Sequence, residues 1–238
     1  MTEILTDYLR IYTCYPADVF LSKEKRKERH HALMEWTNKV YETMPNFQEI
    51  VAFMEKNERL KFEKPFVMKV LIPCVKADLE QGSFDSLKFL FNCNAKGENR
   101  INNWGRSYVE MFCEGTDFKY NSWQLADMIL ANEPDNQIVM YEKYIGLKHF
   151  LSYSIHEVPW GVLVGIGGAE KRDMTHMFQR LQEFTLLSKK LKKDDGVLIE
   201  GCNTFYQAWE KYLDCVSDYN GFEDYLIKQR YLIKVMEL

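Results

Sequence analysis

The sequence predicts an all-α protein: an irregular bundle or short solenoid of antiparallel helix hairpins, about ten helices in a single domain over residues 1–238. Three observations carry that expectation. Apolar residues recur at three- and four-residue steps over long stretches, the spacing of one helix face. Gly (12) and Pro (6) are scarce for a turn-rich β sandwich or barrel. Strand-like runs, such as Val197 to Ile199, are too few to build a sheet.

The elements follow in order. Ser22 can cap a helix running to about Met44, just ahead of Pro45. Asn46 and Glu49 have capping-box spacing and open the next helix. Pro65 suits the first turn of a helix through Ala77 and Leu79, and Pro73 should kink it. Gly82 stops that helix and Ser83 begins another. A helix starting near Pro134 is expected to turn Tyr141, Tyr144, Leu151, Ile155 and Val158 inward. The clearest stripe is Met174, Met177, Phe178, Leu181, Phe184, Leu187 and Leu191. Phe205, Trp209, Tyr212, Leu213 and Val216 repeat the pattern. Asn220-Gly221 breaks the chain, and Phe222, Tyr225, Leu226 and Ile227 fit a closing helix. The polar stretches Lys23 to His31 and Asn92 to Asn103 are too short, and too poor in Gly and Ser, to act as linkers.

One junction is similar to something known. WQLADMILANEPDNQIVMYEKY, Trp123 to Tyr144, resembles the junction between tetratricopeptide-type helical repeats. A helix ends in an apolar-Ala pattern, an acidic-Pro-Asp-Asn turn follows, and a new helix begins. No second copy stands about 34 residues away, so a regular array is not expected. The resemblance implies stacked helix hairpins of the kind that grip other proteins.

The net charge of −4 disfavours general binding to nucleic acid. No apolar run approaches the ~20 residues that span a bilayer. The opening MTEILTDYLR lacks the pattern of a secretory signal, which leads to an expected cytoplasmic location. Cys14, Cys74, Cys93, Cys113, Cys202 and Cys215 form no C-x-x-C pair and are expected as reduced thiols, not a disulfide or zinc framework.

The segment PWGVLVGIGGAEK, Pro159 to Lys171, raises the question of a phosphate-cradling loop. A dinucleotide fingerprint needs G-x-G-x-x-G, yet Glu170 stands at the third position after Gly165 and Gly167. A P-loop needs Gly-Lys-Ser/Thr, yet Lys171 lies between Glu170 and Arg172. A tight connection between helices is the expectation, with a ligand pocket formed by His149, His156, Trp160 and Gly165 as its alternative. Glu142, His149 and His156 are seven residues apart, ~10.5 Å per step along a helix, too far to share one metal ion. No catalytic group, metal site or cofactor is assigned, and G-x-S-x-G is absent.

Two charge clusters remain. Lys23 to His31 (KEKRKERHH) reads as a solvated, self-paired helix face without interleaved aromatics for base stacking. Between Gly196 and Tyr225, six carboxylates (Glu200, Glu210, Asp214, Asp218, Glu223 and Asp224) face one cation, Lys211. Tyr219 and Phe222 lie among them. Aromatics beside acids suit an interface for a protein with a basic surface. The expected partner-binding residues are therefore Glu210, Asp214, Asp218, Tyr219, Phe222, Glu223 and Asp224. The expected role is a non-catalytic protein-binding domain, such as an immunity-type inhibitor covering the basic cleft of a bacterial toxin. Two alternatives stay open: an enzyme or small-ligand-binding helical protein with a pocket near Trp160, and a tetratricopeptide-like scaffold or regulatory adaptor.

Overall fold

The computed structural model describes residues 1–16, 20–57, 60, 62–95 and 107–231. The polar stretch Asn92 to Asn103 lies outside the described residues from position 96 onward. The described residues hold eleven helices, one of them interrupted, and no strand. Spatial contacts group the chain into two compact units, Met1–Val139 and Met140–Leu238.

In the first unit, α1 (Glu3–Cys14) buries Ile4, Leu5, Tyr8, Ile11 and Tyr12, an i, i+1, i+4, i+7, i+8 stripe. It precedes the first helix expected from sequence. α2 (Lys23–Asn38) is capped by Ser22, whose hydroxyl accepts from the Lys25 N–H. It buries only Leu33 and Trp36 and stops well short of the expected Met44. The Lys69 ammonium explains the early stop. It donates to the Thr37 and Lys39 carbonyls at 2.5 and 2.7 Å, satisfying acceptors that a helix end leaves open. α3 (Phe47–Lys56) has the expected Asn46/Glu49 capping box.

The Pro65 helix runs as α4 (Lys64–Phe66), a π turn (Val67–Leu71) and α5 (Ile72–Glu80). Pro73 has no N–H to offer the ladder, and its ring crowds the carbonyl four residues back. The ladder widens just before it: the Ile72 N–H reaches the Val67 carbonyl, five residues away. The expected kink is thus a local change of helix type. Gly82, at φ +77°, ends α5. Its N–H bonds the Leu79 carbonyl and the Ser83 N–H bonds the Asp78 carbonyl, the paired closure that favours glycine. α6 (Asp85–Ala95), α7 (Tyr108–Gly115) and α8 (Ser122–Asn132) follow. α7 was not expected from sequence, although Ser107 and Glu110 form its capping box. The aromatic heart of the unit is Tyr8, with ring centroids 4.7 Å from Phe66 and 5.0 Å from Trp36. The Trp36 indole N–H donates to the Ile4 carbonyl at 3.0 Å, fastening α2 to α1.

The second unit begins within the first turn of α9 (Gln137–Ile155) and adds α10 (Lys171–Lys190), α11 (Gly196–Leu213) and α12 (Phe222–Lys228). The buried side of α9 runs through Met140, Lys143, Tyr144, Leu147, Leu151 and Ser154. The expected inward Tyr141 is exposed instead. Lys143 takes an inward place because its ammonium pairs with Glu183 of α10. Met174, Met177, Leu181, Phe184 and Leu187 of α10 are buried as expected, whereas Phe178 and Leu191 are half-buried. The strand-like run Val197 to Ile199 lies in the first turn of α11. Trp209, Tyr212, Phe222 and Tyr225 interlock α11 with α12, Trp209 and Phe222 meeting edge to face at 4.8 Å.

Three buried or part-buried polar contacts fix α9, α10 and α11 together. Asp195, just ahead of α11, accepts from the Tyr144 hydroxyl at 2.9 Å, the Lys148 ammonium at 2.6 Å and the Ser188 hydroxyl at 2.7 Å. Ser154 and Tyr206 share a 2.5 Å hydroxyl contact, and Ser154 also donates to the Leu151 carbonyl. Lys143 and Glu183 supply the third.

Candidate functional site

The Pro159–Lys171 segment turns back on itself and uses its own amides. Leu163 N–H donates to Ser154, Gly168 N–H to Leu163, and Ala169 N–H to Val162, each at 2.9 to 3.0 Å. Gly167 and Gly168 have φ of +97° and +81°, which explains glycine at both. The Trp209 indole N–H donates to the Ala169 carbonyl at 2.8 Å and ties the turn to α11. At the start of α10, the Glu170 N–H donates to the Asp173 carboxylate at 2.9 Å. That carboxylate places negative charge where a phosphate would sit. The segment forms a tight, hydrogen-bonded turn.

The residues of the alternative pocket sit around this turn in different settings. Trp160 is 70% exposed. Gly165 faces the Tyr153 hydroxyl so closely that a Cβ would lie 2.6 Å from it. The exposed His156 stacks on the Tyr153 ring, and its Nδ1 lies against the Tyr153 carbonyl. His149 is exposed on α9, whereas His156 lies beyond the end of that helix. Burial pushes the Cys74 and Cys113 thiols up to about 11 and the Cys202 thiol to about 12, so little thiolate forms at neutral pH.

The expected acidic cluster is divided between α11 and the segment after it. α11 ends at Leu213, Asp214 is its C-terminal cap, and Asp218 lies in the short turn Val216–Asp218. Asp214 pairs with Lys171. Asp224 accepts from Lys228 at 2.7 Å and from the Asn220 N–H at 3.0 Å. Among the described residues, no ion pair engages Glu210, Asp218 or Glu223. Phe222 is buried and Tyr219 half-buried, with Tyr219 edge-on to Tyr225 at 5.0 Å. The aromatics of this segment hold α12 in place, and the carboxylates are what it offers to solvent.

A second carboxylate face emerges higher on α11. Glu200, Asn203, Gln207, Glu210 and Asp214 follow three- and four-residue steps and share one side, exposed except at the half-buried Glu210. Beside Glu200 and Asn203, a groove of about 490 Å³ opens between α10 and α11. Phe178, Leu181 and Ile199 supply its more buried apolar surface, and Leu186 stands at its edge, 60% exposed. Gln182 and Thr185 complete the α10 wall. Glu200 is the only charged side chain lining it among the described residues. Sequence reasoning counted Glu200 among the acids but missed Leu186. An apolar residue off the Met174-to-Leu187 stripe was the available signal.

No family model matches the chain, and comparison with curated proteins and with solved structures returns no significant match. Among the described residues, no group of three or more His, Cys, Asp or Glu side chains is arranged to hold a metal ion, and no helix is long and apolar enough to cross a membrane.

Proposed function

We propose that this chain is a non-catalytic protein-binding domain that receives a basic partner on the outward face of α11 and the segment after it. The observation that carries this reading is the run of exposed carboxylates Glu200, Asp214, Asp218 and Glu223, with the half-buried Glu210 among them, which meets few cations of its own. Supporting it, the Ile166, Gly167, Gly168 and Ala169 amides bond carbonyls within the turn, and three of the thiols are held protonated by burial. A surface of this kind steers a cationic protein through long-range attraction, so it acts mainly on the association rate. The narrower form of the proposal is an immunity-type inhibitor that covers the basic cleft of a toxin.

The test is Glu210→Lys, Asp214→Lys and Asp218→Lys together, in the full chain, against the partner captured from the native host. Association of the wild type should slow steeply as salt rises, and the triple variant should associate at least tenfold more slowly with a flattened salt dependence. Unchanged association in the variant would remove this surface from the account.

A further inference from the structure

The geometry points to the α10–α11 groove as the seat for an amphipathic helix of the partner protein, one whose apolar stripe is flanked by Lys or Arg. This deepens the binding role proposed above and rests on it. The groove is open to solvent along two antiparallel helices, a shape suited to a macromolecular segment rather than an enclosed small ligand. Its wall combines the half-buried Phe178 and Ile199 with Leu186, which projects from α10 off the core stripe. Apolar side chains at i, i+3 or i+4, and i+7 of an incoming helix would cover these three.

Charge complementarity selects the flanks of that helix. Glu200 lies within the groove, and Glu210 continues the same α11 face toward Asp214. A cationic side chain beside the apolar stripe meets Glu200 first and Glu210 further along. An acidic flank would be repelled by both. The polar hollow on the other side of Leu186, lined by His176, Gln179, Arg180 and Glu183, leaves this leucine standing as a ridge between two depressions. A ridge of that kind gives the incoming helix a fixed register.

Three synthetic 18-residue helical peptides serve as probes, with binding to the full chain read by fluorescence anisotropy. One carries a Leu stripe flanked by Lys, the second the same stripe flanked by Glu, and the third Ala in place of Leu with Lys retained. The Leu/Lys peptide should bind saturably and more tightly than the other two. Leu186→Asp should weaken it about tenfold, the loss of one buried apolar contact. Glu200→Lys should shift preference toward the Leu/Glu peptide. Leu186 and Glu200 are exposed, so both variants should keep the wild-type thermal midpoint, which checks folding. Equal binding of the Ala/Lys and Leu/Lys peptides, or indifference to Leu186→Asp, overturns the groove while leaving the carboxylate surface intact. Absence of binding by every Lys-bearing peptide overturns both.

Discussion

Asp195 shows how the second unit spends a buried charge. Its side chain is 2% exposed, yet three donors on α9 and α10 converge on it. Burial works to raise its pKa, but the hydrogen bonds from Lys148, Ser188 and Tyr144 together outweigh burial and hold the carboxyl below its ordinary 3.8. A carboxyl with a lowered folded pKa contributes stability that is complete above the unfolded value and is lost as pH falls through the folded value. Asp195→Asn should therefore destabilise the protein by ~1–3 kcal/mol at pH 7, measured by urea denaturation. The gap from wild type should stay level between about pH 5 and pH 8 and narrow below about pH 4. A gap that widens on acidification would contradict this assignment. None of this was legible in the sequence. The convergence of Tyr144, Lys148 and Ser188 on one carboxylate depends on how three helices pack.

At the scale of elements, periodicity and caps were readable because they are local. The α10 stripe, the Ser22 cap, the Asn46 box and the Gly82 stop all stand where short-range spacing puts them. The errors have tertiary causes. α2 carries helix-forming residues beyond its observed end, but Lys69, distant in sequence, closes it at Asn38. Lys69→Met keeps an unbranched side chain of similar length and removes both hydrogen bonds, together with the ammonium's contacts over the Trp36 and Tyr41 rings. It should cost ~1–2 kcal/mol by thermal or chemical denaturation and speed amide exchange in the last turn of α2. An unchanged exchange rate there would mean that the Lys69 bonds do not set the helix end. Val197 to Ile199 is strand-like by composition and forms the first turn of α11. α1 and the Ser107–Glu110 box of α7 carried visible signals that would have placed both helices.

For the whole molecule, the all-α class followed from composition and spacing, while the carboxylate surface proposed for binding followed only in outline. The acidic excess after Gly196 was plain in the sequence. Which acids face outward was not, because that depends on where α11 stops and what Phe222 and Tyr219 pack against. The groove needed two helices side by side, so only its α10 half, through Leu186, left a trace in the residue pattern. The most direct test of the account is carbodiimide footprinting of carboxylates, read by mass spectrometry, in the free chain and in its complex with the captured partner. Glu200, Glu210 and Asp218 should lose most of their labelling in the complex, while acids of the first unit such as Glu35 keep theirs. Equal labelling of those three in the free and bound states would contradict the account.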